Sequence, residues 1–285
     1  MDRIVDTHVH FWTQATTSWL TSAMGPINRD FLPEHHRAES HSCDVSRCVV
    51  IEAGPTDAEN QLIIDLADQD EFVGALILQA DLDDPRLGKR LDEWQQLPKF
   101  RGVRMMFESH PAADIASQPA IVDGLQELAR RDLIHDFLPL TRHLNDVVSA
   151  LEQVPDLRCI IEHYAKPNFD GSLEADWVSA MTRLADGTSA SVKLSLSPQA
   201  TRIADYVTNP GQGWPLEAVR PYTDFLLSEL GTDRLIWGSD WPVALLTDSY
   251  AGMLETHQTL LSDLDEVDQL KLFRSNAEEF YQLEA

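Results

Sequence analysis

The chain has 285 residues, 43% of them hydrophobic, and a formal charge of −25 from 22 basic and 47 acidic side chains. That length suits one large α/β barrel with a sizeable core, while so acidic a field repels nucleic acid and anionic membrane and argues against both as partners. No run approaches the roughly 18 consecutive apolar residues that a membrane span requires.

Cys43, Cys48 and Cys159 are odd in number and fit no metal or redox spacing, so they read as small hydrophobes in a reducing compartment. Asp2 and Asp6 interrupt the first apolar residues, which leaves no export signal there and points to the cytoplasm.

Short apolar runs alternate with segments of helical periodicity. Strands are expected at 3–9, 47–52, 72–79, 102–107, 133–140, 157–163, 189–194 and 234–238. Amphipathic helices are expected at 57–69, 118–131, 144–153, 176–184, 215–230 and 267–280, with Leu62, Ile63, Leu66 and Ala67 forming one face of the first. Strand–helix alternation predicts a parallel sheet covered on both faces. Eight repeats, with no glycine-rich phosphate fingerprint after any strand, predict a single closed (β/α)8 TIM barrel over residues 1–285. Two connections are long, 11–36 after the first strand and 195–214 after the seventh, and loops leaving the carboxyl ends of barrel strands surround active sites.

The first strand ends Asp6-Thr7-His8-Val9-His10, and alternation along a strand sends His8 and His10 to the same side. Two imidazoles at a barrel mouth suit a metal ion or a developing oxyanion. The fourth strand carries Arg104 on the face of Gly102 and Met106, where a guanidinium needs a carboxylate from substrate or protein. The sixth strand closes on His163 and Tyr164. The eighth exits through Gly238-Ser239-Asp240-Trp241-Pro242 and brings Asp240 beside the first-strand histidines, because strands one and eight are neighbours in a closed barrel. A lone Asp or His is more often a cap or a satisfied core group. Four such groups converging from three strand ends are hard to explain as core filling.

Together these motifs resemble the amidohydrolase superfamily, in its branch of sugar-lactone and 2-pyrone-4,6-dicarboxylate hydrolases. The resemblance runs through Asp6-Thr7-His8-Val9-His10-Phe11-Trp12, Arg101-Gly102-Val103-Arg104, His163 with Lys166-Pro167, Lys193-Leu194-Ser195, Gly238-Ser239-Asp240-Trp241-Pro242-Val243 and Asn276-Ala277. It implies a barrel with His8, His10, His163 and Asp240 at its centre, as catalytic groups and as ligands of one divalent metal, zinc first, or as a metal-independent set. It departs from common superfamily patterns at three places. Arg104 stands on the fourth strand where a bridging lysine is usual, so a bridged two-metal centre is not expected. The fifth strand ends without an inward histidine, its flanks being His135 and His143. Leu196 follows Lys193-Leu194-Ser195 where the sugar-lactone branch has glycine.

The expected reaction is hydrolysis of a small lactone, an L-fucono- or L-rhamnono-lactone type first. Asp240 takes a proton from water, and the histidines or their ion stabilise the oxyanion. Arg104, Trp12, Tyr164 and Trp241, with Trp214, are expected to contact substrate. A metal-dependent decarboxylase, another C–C or C–N hydrolase of the superfamily, and a sugar-acid-binding barrel without turnover are the alternatives. Helices on the outside of such a barrel can also support a homodimer.

Overall fold

The computed structural model describes residues 4–108, 110–198 and 211–283. Arg3 and residues 199–210 of the long connection after the seventh strand lie outside them. Eight strands, β1 (Ile4–Val9), β2 (Val45–Ile51), β3 (Val73–Gln79), β4 (Phe100–Met105), β5 (Ile134–Phe137), β6 (Arg158–Ile161), β7 (Ser191–Leu194) and β8 (Leu235–Trp237), form one sheet in sequence order. Every neighbouring pair is parallel. Just past β8 the sheet closes on β1: Val9 bridges Trp241, the His10 amide donates to Trp241 O at 2.8 Å and the Asp240 amide to His8 O at 3.0 Å. This is the (β/α)8 barrel that the alternation predicts.

The helices are α1 (Pro33–Ser40), α2 (Asp57–Gln69), α3 (Leu87–Trp94), α4 (Pro119–Arg130), α5 (Thr141–Leu151), α6 (Ala175–Gly187), α7 (Leu216–Leu230) and α8 (Tyr250–Leu260). A last segment runs through Glu266–Leu270, a π-helical turn Lys271–Ser275 and Asn276–Phe280. α2 begins where its sequence says: the Glu59 amide donates to Thr56 Oγ1 and the Thr56 amide to Glu59 Oε2, a reciprocal cap. α1, α3 and α8 are not among the helices expected from periodicity. α1 contains almost no apolar residue, so it has no periodicity to read. It shortens the long loop after β1 by placing Pro33 at a helix start, where a missing N–H costs nothing.

Inside the barrel Val5, Val49, Ile51, Ala75, Ile77, Ile134, Ile160 and Ile236 pack into an apolar layer, capped below by Tyr281. Two residues beyond Ile134, Ile160 and Ser191 the same inward face carries Asp136, Glu162 and Lys193, all fully buried. The polar layer therefore sits above the apolar one, toward the carboxyl ends of the strands. No helix among the described residues is long and apolar enough to cross a membrane.

Candidate active site

β1 reaches the mouth through an irregularity. Asp6 pairs with Cys48 and Val9 with Val50, so β1 spends one residue more than β2 over this stretch. The bulge lets Val5 join the interior layer, sends Asp6 outward and still turns His8 inward. Gly238 makes the closure possible, since a Cβ there would lie 2.9 Å from His8 Cβ.

Outside the barrel wall, Asp6 ties the two closing strands together. Its carboxylate accepts from the Ser239 amide (2.9 Å), Ser239 Oγ (2.6 Å), Tyr250 OH (2.8 Å) and His36 Nε2 (3.1 Å). Burial raises the Asp6 carboxyl, but the bond to His36 and the Ser239 donors outweigh it and hold it below the usual carboxylate range. Ser239 Oγ in turn accepts from the Trp241 amide at 2.9 Å. Asp240, between them, is held with φ 61°.

His163 follows β6 in a left-handed turn. His163, Tyr164, Ala165 and Lys166 all have positive φ, closed by Lys166 N–H to His163 O at 2.7 Å. The turn presents His163 and Lys166 to the cavity and Tyr164 away from it. Ser195, just past β7, meets His163 Nδ1 at 2.7 Å.

The four groups converge. His8 Nε2 and His10 Nε2 are 3.1 Å apart, and Asp240 Oδ1 lies 3.5 Å from the first and 3.4 Å from the second. The His8 and His163 ring centres are 4.4 Å apart. Asp240 Oδ2 is buried without a hydrogen-bond partner among the described residues. Burial, with Lys193 for His8 and Lys166 for His163, keeps both imidazoles well below the usual histidine pKa and therefore neutral. His10, His163 and Asp240 line the base of a cavity of about 310 Å³, with His8 buried behind them, and its walls include Trp12, Trp19, Ile27, Met106, Leu138 and Val243. That is room for one sugar-sized ring.

The family model described as "Amidohydrolase" matches residues 5–283. The chain belongs to the amidohydrolase family. This amidohydrolase is 29% identical over 286 residues to an L-fucono-1,5-lactonase of Burkholderia ambifaria, a match that covers 98% of this chain and 96% of that protein. A crystal structure of a Burkholderia multivorans amidohydrolase with bound HEPES superposes with TM-score 0.87 at 26% identity, over 99% of this chain and all of that one. A second crystal form, with bound zinc, gives 0.86 at 27% identity over the same shares of the two chains.

A metal can be tested against this amidohydrolase's own atoms. Four ligands about 2.0–2.1 Å from a tetrahedral ion stand roughly 3.3 Å from one another. The three separations among His8, His10 and Asp240 bracket that value. His8, His163 and Asp240 also each offer a ligand atom within 4.8 Å of one another. Beneath them the carboxyl groups of Glu52, Asp136 and Glu162 meet Arg104 and Lys193, and burial raises the Glu162 carboxyl above its usual range. The donor set fits one ion.

Several expected contacts lie elsewhere. Tyr164 is buried behind β6, its hydroxyl 3.2 Å from Thr223 Oγ1, and it does not line the cavity. The left-handed turn is the reason. Trp241 packs against Phe11, Phe31 and His36 and donates to Glu39, again outside the cavity. Trp214, also outside it, donates to Thr247 Oγ1. Trp12 does border the cavity. Arg104 borders it too, but its three nitrogens donate to Glu52 Oε1 (2.7 Å), Glu162 Oε2 (3.0 Å) and Glu52 O (2.7 Å). Burial pulls its pKa down, and the two glutamates more than reverse that. With its charge matched inside the protein, it offers little attraction to a substrate anion. Glu52, Asp136, Glu162, Lys193 and Glu108 are not among the site residues expected from the sequence. A signal for Asp136 and Lys193 was available: each interrupts an apolar strand two residues after an inward position.

Proposed function

We propose that this chain hydrolyses a small lactone, an L-fucono- or L-rhamnono-lactone type being the first candidate. The observation that carries the reading is the buried Asp240 carboxylate, within 3.5 Å of two imidazoles at the base of a sugar-sized cavity, with Oδ2 lacking a partner among the described residues. In this mechanism Oδ2 takes a proton from a water that attacks the lactone carbonyl, and the same carboxyl returns it to the leaving alkoxide. His163, fixed by Ser195, and His8 face the developing oxyanion. A divalent ion, zinc first, held by His8, His163 and Asp240 beside His10, would supply Lewis-acid polarisation of the carbonyl. The apolar walls at Trp12, Trp19 and Val243 suit a ring with one face poor in hydroxyls. Full-length similarity to a protein named L-fucono-1,5-lactonase supports the sugar-lactone choice.

The test is a pH-indicator screen of aldonolactones, pyrone dicarboxylates and muconolactones, with and without chelator, on wild type and Asp240→Asn. The variant is expected to lose about 100-fold or more in kcat with its thermal unfolding unchanged. A near-native rate removes Asp240 from the base role, and silence of the wild type on every lactone ends the reading.

A further inference from the structure

The cavity has two unlike halves. The loops that leave β8, β1 and β2, neighbours around the barrel, give it Val243, Trp12, Trp19, Ile27 and Pro55. The loops after β4, β6 and β7 give it Glu108, Lys166 and Ser197. No step above uses Glu108 or Lys166. Both side chains are almost wholly buried, 10% and 5% exposed, and taking such charges out of water is costly. Lys166 Nζ donates to Glu108 Oε2 at 2.8 Å and to Pro198 O at 3.4 Å. Each residue is also held through its backbone. Lys166, with φ 49°, ends the left-handed turn that carries His163. Arg142 Nη2 donates to Glu108 O at 3.2 Å and to His110 O at 3.1 Å, which pins the loop after β4. The pair is a rigid part of the wall, in place before any ligand arrives.

Charge matching decides which ligand suits that wall. Among the described residues, Arg104 and Lys166 are the two arginine or lysine side chains that border the cavity. Arg104 is matched by Glu52 and Glu162, and Lys166 by Glu108. A ligand carboxylate would compete with these glutamates for each cation, and would meet the Glu108 and Asp240 carboxyl groups in a molecule of formal charge −25. A hydroxyl meets the reverse. It donates to a carboxylate oxygen and accepts from an ammonium, and a carboxylate has lone pairs for more than one donor. Two hydroxyls on adjacent ring carbons can engage Glu108 and Lys166 together, while the half at Trp12, Trp19 and Val243 packs on C–H groups.

We propose that Glu108 and Lys166 are specificity-determining residues, which bind the hydroxyls of an uncharged sugar ring and turn away rings that carry a carboxylate. The proposal deepens the lactone reading and, for its rates, rests on it. Within that reading it selects aldonolactones over lactones of sugar diacids and over pyrone dicarboxylates. Removing one member of the pair has opposite consequences for the two kinds of ring. Without the glutamate, Lys166 becomes an unmatched cation that attracts a carboxylate. Without the lysine, Glu108 becomes an unmatched anion that repels it.

Two readouts test it, on wild type, Glu108→Gln and Lys166→Met at matched metal content. One is calorimetric titration with an aldonolactam, an uncharged ring without the ester bond, and with the same ring bearing a carboxylate at its exocyclic carbon. The other is kcat/KM on the two corresponding lactones. The wild type is expected to prefer the uncharged ring by about 100-fold. In Glu108→Gln that preference falls about tenfold or more, with the change in KM rather than kcat. In Lys166→Met the uncharged ring binds about tenfold more weakly while the preference for it does not fall. A merely structural role would weaken both rings alike in both variants. Equal affinity of the wild type for the two rings, or binding of neither, overturns the proposal and needs no variant to do so. A folded Glu108→Gln with unchanged preference overturns it as well. Discrimination between the lactams with no lactone opened would end the hydrolase reading and leave the binding role standing, so each can fail without the other.

Discussion

His163, Tyr164, Ala165 and Lys166 hold φ between 49° and 60° without a glycine among them. For residues with a Cβ this conformation costs roughly 1–2 kcal/mol each, and the surroundings hold it in place. Ala165 N–H donates to Glu162 O at 2.8 Å, and Trp177 Nε1 to Tyr164 O at 2.6 Å. Strain at such a turn is tolerated where it aims a functional side chain, here His163. Ala165→Gly is therefore expected to leave stability unchanged or raise it by about 0.5–1 kcal/mol, whereas the same exchange inside a right-handed helix costs that much. Urea unfolding checks it, and a loss above about 1 kcal/mol contradicts the assignment of strain. The sequence could not announce this turn, because the residues that make left-handed backbone cheap are missing from it. That is why Tyr164 reads as a wall residue and is not one.

At the level of elements, the site depends on how β8 meets β1. The expected strand positions are met to within a few residues at each end, since apolar runs fix where strands lie. Period two alone would put Val5 and His8 on opposite faces, and the extra residue in β1 brings both inward. Asp6 then clamps the exit of β8 through Ser239 while α1 and α8 supply His36 and Tyr250. Asp6→Ala removes one partner of a buried, fully bonded pair and is expected to cost about 3–5 kcal/mol. It should also reduce kcat below what the remaining folded fraction explains, because Asp240 is next to the released Ser239. Denaturant titration and rates taken well below the melting point separate the two effects, and a loss of stability alone would make Asp6 purely structural.

Across the whole molecule, two buried histidines contribute to the response to acid. Burial, with Arg104, pushes His135 down to about 3, and burial pushes His257 down to about 4, from an ordinary 6.5. Both folded values lie below the unfolded one, so the unfolded chain takes up protons first as pH falls. The stability these groups permit is whole above about 6.5 and is lost between there and about 3. His135 packs between Phe107 and Phe137, away from the cavity. His135→Leu should make the fall of stability over that window shallower, as read from unfolding midpoints against pH. An unchanged slope would mean that His135 contributes nothing to acid unfolding.

The order of the strands, most of the helices, the barrel, and the four groups at its mouth follow from residue type and spacing, because apolar periodicity and strand alternation are local properties written along the chain. Which face a side chain takes after a bulge or a left-handed turn depends on neighbours far away in sequence. So does the pairing of a buried charge: Arg104 finds Glu52 and Glu162, and Lys193 finds Asp136 and His8, only once the sheet has closed. Burial makes each of those partners obligatory, and only the tertiary structure decides which they are.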